Sequence, residues 1–132
     1  MPFSDGYGFM PGLVLSQKNL DGYVYTNIGQ ALAEAIKDED LSGRFLPLKA
    51  WDALKSILKG GTKDGVLAIE NLSILFEPAL KINLTAFLKE AMTGRQLIIK
   101  LEHPVARDWH YYPFPADHTY YLDFTGINST IC

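Results

Sequence analysis

Val66-Leu67-Ala68-Ile69-Glu70-Asn71 sets the architecture of this chain. Its first four residues are apolar without alternation, and turn-forming residues bound them on both sides. A strand wet on one face alternates apolar and polar residues, whereas a strand buried on both faces is a continuous apolar run. The run is too short for a helix, which needs roughly 10 residues or more. Leu97-Ile98-Ile99 repeats the signal, and a helical pattern lies between the two. Strand, helix and strand in that order imply crossover connections over a mostly parallel sheet. The expected fold is α/β: a small, mostly parallel sheet flanked by helices on both sides.

Working outward, Ile28, Ala31, Leu32, Ala35 and Ile36 share one face of a helix. Asn27 caps it, and Gln30 completes a box-like arrangement. Upstream, Leu13-Val14-Leu15 and Tyr23-Val24-Tyr25 are short strand patterns separated by the polar turn Lys18 to Gly22. Residues 1–12, rich in Gly, Pro and aromatics, form an irregular arm. Downstream, Asp38 to Phe45 is a loop, and Pro47 opens a second helix with the stripe Leu48, Trp51, Leu54 or Lys55, and Leu58. Gly60-Gly61 ends it. A short apolar turn from Leu72 to Phe76 leads to Pro78. Asn83 then caps a third helix with Leu84, Phe87, Leu88, Ala91 and Met92 inward and Gly94 at its end. Residues 102–118 are a long loop dense in Pro and aromatics. Thr119 to Phe124 is the last strand pattern, with Tyr120, Leu122 and Phe124 on one face.

With 132 residues the chain fits a single domain, residues 1–132, and 48% hydrophobic residues are enough to fill a core. Cys132 is the lone cysteine, so no disulfide framework forms within the chain. The amino terminus shows no signal-peptide pattern, and the apolar runs fall far short of the roughly 20 residues of a membrane span. The expectation is a soluble, cytoplasmic protein with no membrane partner. A net charge of −3 without a basic stripe disfavours nucleic acid.

No complete catalytic motif is present. A phosphate loop places glycines, Lys and Ser or Thr between a strand and a helix. After the first strand pattern the chain instead runs Ser16-Gln17-Lys18-Asn19-Leu20. Gly60-Gly61-Thr62-Lys63 follows a helix and carries Thr and Lys in the wrong order. Glu70 and Asn71 end an apolar strand, where an ATPase keeps the acid that holds Mg²⁺ or polarises water. An acid in that place also commonly just solvates the next turn. His103, His110 and His118 match no zinc spacing, so neither metal nor cofactor is expected. Trp109, Tyr111, Tyr112, Phe114 and Tyr121 are candidates for contacting a protein partner; the bland alternative is that such rings cap the end of the core.

Tyr23-Val24-Tyr25-Thr26-Asn27, then Val66 through Pro78, Leu80 to Leu88, Arg95 with its strand, and Tyr111-Tyr112-Pro113 through Tyr120 carry a family resemblance. Over roughly three-quarters of its length the chain resembles the BrxF-like proteins, the small P-loop component of BREX phage-defence gene clusters. The resemblance implies a reduced, P-loop-NTPase-like three-layer domain with Glu70 and Asn71 near a nucleotide's metal. The family's glycine-rich loop and the helix after it have no counterpart here.

A degenerate, non-catalytic protein-interaction subunit follows, with a protein partner or a homo-oligomer, as an accessory component of a phage-defence complex. Two alternatives stay open. One is a nucleotide-binding or ATPase-like regulator using Glu70 with Lys18 or Arg95 of a neighbouring subunit. The other is a small inhibitor protein that binds a larger machine.

Overall fold

The two continuous apolar runs lie side by side. In a computed structural model describing residues 12–132, β3 (Val66–Glu70) pairs in parallel with β4 (Gln96–Lys100). The arm is outside the described residues except for Gly12. β1 (Leu13–Ser16) pairs with the other side of β4, Leu13 opposite Leu97 and Leu15 opposite Ile99. β2 (Thr26–Asn27) and β7 (Ser129–Ile131) close the edges, giving a five-stranded sheet in the order β2-β3-β4-β1-β7. Every pairing in it is parallel. A separate antiparallel ribbon joins β5 (His110–Tyr111) to β6 (Leu122–Asp123).

The register sorts side chains onto two faces, because successive residues of a strand alternate sides. Leu13, Leu67 and Leu97 form one row and Leu15, Ile69 and Ile99 the next, all on the same face. They merge into one cluster with the buried stripes of three helices. α1 (Ile28–Ile36) contributes Ile28, Leu32 and Ile36, and α2 (Leu46–Gly61) contributes Leu46, Ala50, Leu54 and Leu58. α3 (Leu84–Met92) adds Phe87, Leu88 and Ala91. No described helix is long and apolar enough to cross a membrane.

Val14, Ala68 and Ile98 face the other way and lie outside that cluster, although Ala68 and Ile98 are buried. The helices thus gather over one face, and the second face is met differently. Residues 17–25, between β1 and β2, step across three strand positions, about 14 Å, and re-enter at the level they left, since Thr26 shares a row with Leu15. A crossover that carries a helix takes roughly a dozen residues or more, which residues 17–25 do not supply. The crossover is accordingly bare chain. Gly22, Tyr23 and Val24 lie beside Val66 and Ala68 around a groove of about 240 Å³.

Local chemistry explains the element boundaries. Asn27 Oδ1 accepts from the Gln30 amide at 2.9 Å, and Asn83 Oδ1 accepts from the Ala86 amide at 3.0 Å. Both helices therefore begin at their expected caps. Tyr23-Val24-Tyr25 is not a strand: it belongs to the crossover, Val24 is 77% exposed, and pairing starts only at Thr26. Leu48 points into solvent, because Leu46 and Ala50, either side of it in the first turn, take the buried stripe. Ala35 is also exposed. The pattern at 119–124 shrinks to β6, which pairs with β5 inside the expected loop; the fifth strand of the main sheet is β7.

Gly61 marks the tightest approach of α2 to the sheet. A Cβ there would collide with Thr26 Oγ1 and sit 3.0 Å from Leu67 Cδ1, whereas a Cβ on Gly60 would meet nothing. Gly61→Ala should therefore destabilise the chain by about 1–3 kcal/mol in urea unfolding. Gly60→Ala should be neutral or stabilising by roughly 0.5–1 kcal/mol.

Candidate functional site

Open parallel sheets bind ligands beyond the carboxyl ends of their strands, where neighbouring connections leave in opposite directions. Here that point lies between β1, whose chain leaves toward β2, and β4, whose chain leaves toward β7. It is closed. The Leu101 amide donates to Ser16 O at 2.8 Å and the Cys132 amide to Leu15 O at 2.9 Å, carrying both ladders past the strand ends. Ser16 Oγ accepts from the Lys18 amide and donates to the Lys18 carbonyl, so the chain folds onto this buried hydroxyl instead of opening a loop. Tyr111 packs over the edge, its hydroxyl accepting from the Glu102 amide at 3.2 Å. The void left among Asn71, Ser73, Lys100 and Glu102 is about 20 Å³, room for about one water molecule.

Glu70 and Asn71 take separate roles. Glu70 Oε1 lies 3.9 Å from Lys100 Nζ, with the side chains 28% and 34% exposed. A pair so long and so wet contributes roughly 0–1 kcal/mol. Asn71 is a structural joint. It sits at φ 60°, its Nδ2 donates to Asn27 Oδ1 at 2.8 Å, and its carbonyl accepts from the Gly29 amide at 3.0 Å. Two amides of the first turn of α1, Gly29 and Gln30, are thereby satisfied within the chain, and those are the groups that would draw an anion. Gly29 is required there, since a Cβ would fall 2.5 Å from Asn71 Nδ2. Arg95 lies at the opposite end of β4 from Lys100. Its guanidinium donates to the Glu90 and Ala91 carbonyls at 3.1 and 3.4 Å, closing the carboxyl end of α3.

The aromatic candidates divide. Trp109, Phe114 and Tyr121 are 41%, 39% and 41% exposed, whereas Tyr112 is half-buried. Tyr111, expected among the contact residues, is buried and closes the sheet edge, because alternation in β5 turns it inward. Tyr121 and Tyr112 take part in two stacks that the sequence did not disclose. His110 stacks on Tyr121 at 4.4 Å and His118 on Tyr112 at 4.0 Å. Tyr112 donates its hydroxyl to Asp108 Oδ2 at 3.0 Å, and Asp108 and Asp123 flank the His110 ring at 3.4 and 3.5 Å. Phe76, Phe114 and Tyr120 form a separate trio, edge to face, 5.7–6.3 Å apart. An open groove of about 800 Å³ runs from this trio to α1. Among the described residues, no group of three His, Cys, Asp or Glu is placed to hold a metal ion.

Aspartates pin this region. Asp108, Asp117 and Asp123 accept from the amides of His110, Thr119 and Thr125, each two residues ahead. For Asp117 and Asp123 the signal in the sequence is Asp followed at that spacing by Thr; for Asp108 the residue there is His110. The His110 amide holds the Asp108 carboxyl below the usual aspartate range; the Thr119 hydroxyl and amide do so for Asp117, and those of Thr125 for Asp123. Burial pushes the Tyr111 phenol up. Desolvation, then the neighbouring Asp108, raises that of Tyr112.

The chain matches no protein-family model, no curated protein and no solved structure. The resemblance to BrxF-like proteins therefore rests on the quoted residues alone.

Two outcomes test this account of the site. Asn71→Ala loses the bond to Asn27 and places Ala at positive φ, which should cost about 2–3 kcal/mol in urea unfolding. Asn71→Gly keeps the backbone comfortable and should cost about 1 kcal/mol, the hydrogen bond alone. Second, each aspartate binds its proton more weakly folded than unfolded. Their contribution is complete above the ordinary aspartate pKa of about 3.9 and is lost as pH falls below it through the lowered folded values. The near-UV signal of the stacked tyrosines should fall as pH drops below about 4. Asp123→Ala should weaken that signal already at neutral pH.

Proposed function

We propose that this chain is a non-catalytic protein-interaction subunit whose contact surface is the aromatic excursion between β4 and β7. The observation that carries the reading is the exposure of Trp109, Phe114 and Tyr121 on one ribbon excursion, with Tyr121 stacked on His110 and Phe114 packed against Phe76 and Tyr120. Rings held in place this way lose little conformational freedom on association, and such residues dominate binding energy at interfaces. The closed carboxyl edge supports the same reading from the other side. A nucleotide needs amides, a cation and space, and the amides of Gly29 and Gln30 are satisfied internally. The partner is a larger protein or a second copy of the chain. The BrxF-like resemblance favours a place in a phage-defence complex.

The test is recovery of a partner at near-equal amounts from source cells with the tagged chain. Trp109→Ala should sharply lower recovery while leaving the urea midpoint nearly unchanged, and adding Tyr121→Ala, which also removes the stack on His110, should abolish it. Thermal unfolding with ATP and Mg²⁺ runs alongside, because a bound ligand at a hundredfold excess over Kd stabilises by about 2.7 kcal/mol. No shift is expected. A shift that disappears in Glu70→Gln, or undiminished recovery by the double variant, would overturn the reading.

A further inference from the structure

Resting on that interaction reading, we infer that the groove between α1 and the Phe76–Phe114–Tyr120 trio is a docking site for a basic amphipathic helix of the partner. Its volume, about 800 Å³, lies in the range that takes several side chains at once. The lining is largely apolar: Ile36 from α1, Ile74 and Leu80 from the two short 3-10 turns Ser73–Phe76 and Pro78–Leu80, and the trio itself. Leu41, 67% exposed, stands at the rim.

Charge identifies the occupant. Lys37, Glu39, Glu77 and Asp117 border the groove. Lys37 pairs with Glu34 at 2.6 Å and Glu39 with Lys49 at 2.9 Å, so those charges are already balanced. Glu77 and Asp117 make no ion pair with another described residue. The border therefore presents uncompensated negative charge next to ring faces, which carry negative potential of their own. Phe114 is exposed and Tyr120 half-buried along the groove, so these two rings are open to a cation, whereas Phe76 is buried. An ammonium or guanidinium group satisfies both features at once; an acidic segment would meet repulsion from both.

Backbone geometry identifies the shape. The groove is walled by α1 and by tight turns, not by an open strand edge, so an extended peptide finds no ladder to join. A helix brings apolar side chains at i, i+3 or i+4, and i+7 into such a groove and needs no backbone partner. Its Lys or Arg side chains then lie against Phe114 and Tyr120, between Glu77 and Asp117.

A displayed library of random 16-residue peptides selected on the full chain, with winners measured by fluorescence anisotropy, tests this. Winners should carry Lys or Arg beside apolar residues at helical spacing. Ala33 is exposed and lines the groove, so Ala33→Arg fills it without touching the core, and binding should fall below detection. Glu77→Gln with Asp117→Asn keeps the turn hydrogen bonds, and should weaken binding about tenfold and flatten its salt dependence. Winners that are acidic or uncharged overturn the inference, and so does a library that yields none. Winners indifferent to Ala33→Arg but lost in Trp109→Ala with Tyr121→Ala also overturn it, while leaving the interaction reading standing.

Discussion

Leu13, Leu97 and Leu67, with Leu15, Ile99 and Ile69 one step further along, form two rows across three parallel strands, and the rest of the chain is arranged to keep water off them. Parallel pairing fixes which residues share a row, and a slip of one residue would exchange Leu67 and Ile69 for Ala68 together with Val66 or Glu70. Ala68 has too little side chain to fill that core. All three helices therefore bring their stripes to the same face, where Phe87 and Leu54 are fully buried. The 3-10 turn at Ser73–Phe76 supplies Leu75 and Phe76 to the same cluster.

That one-sidedness governs what chemistry the chain can hold. A helix between β1 and β2 would cover Val14, Ala68 and Ile98 and point its amino end at the carboxyl edge of the sheet. Residues 17–25 are too few to cross three strand positions as a helix, so the turn that would begin one closes on Ser16 Oγ. β1 is therefore followed by no helix whose terminus could offer an anion its amides. Asn71 closes the adjoining gap by tying β3 to Asn27 and Gly29. The absence of a phosphate loop from the sequence and the closed edge have a common physical origin in the shortness of this crossover.

How much of this could be read from residues depends on whether the deciding force was local. The strand cores Leu13-Val14-Leu15, Val66 to Ile69 and Leu97-Ile98-Ile99 are legible because burial on both faces leaves a continuous apolar signature. Asn27 and Asn83 are legible because a cap acts within its own turn. β7 is not: Asn128-Ser129-Thr130-Ile131 is polar and exposed, and becomes a strand only because β1 offers it an open ladder. Tyr23-Val24-Tyr25 has strand-forming residues but lies beside Val66 and Ala68 as part of the crossover, and pairing with β3 begins only at Thr26. Within the candidate site, Glu70 was correctly placed at a strand's end, but the part played by Asn71 depends on Asn27, forty-four positions earlier. Tyr111 looked like its aromatic neighbours, and only its parity in a two-residue strand separates it from them.

The excursion between β4 and β7 owes its shape to the same sheet. β4 must hand the chain across β1 to reach β7, and nothing in the helical core depends on a short path between them. Leu122 and Phe124 anchor the returning segment in the core, and Tyr111 anchors the outgoing one. With both ends fixed, β5 and β6 pair, and rings on the outer side of the ribbon have no core left to enter. Stacking against histidines and hydrogen bonds to Asp108 then hold several of those rings in one arrangement. An exposed ring in a mobile loop gives up conformational entropy when it binds, whereas a ring already held by neighbours keeps most of the area it buries as affinity. The order of this excursion thus lies in its paired ribbon and stacked rings, not in a cleft at the end of the strands.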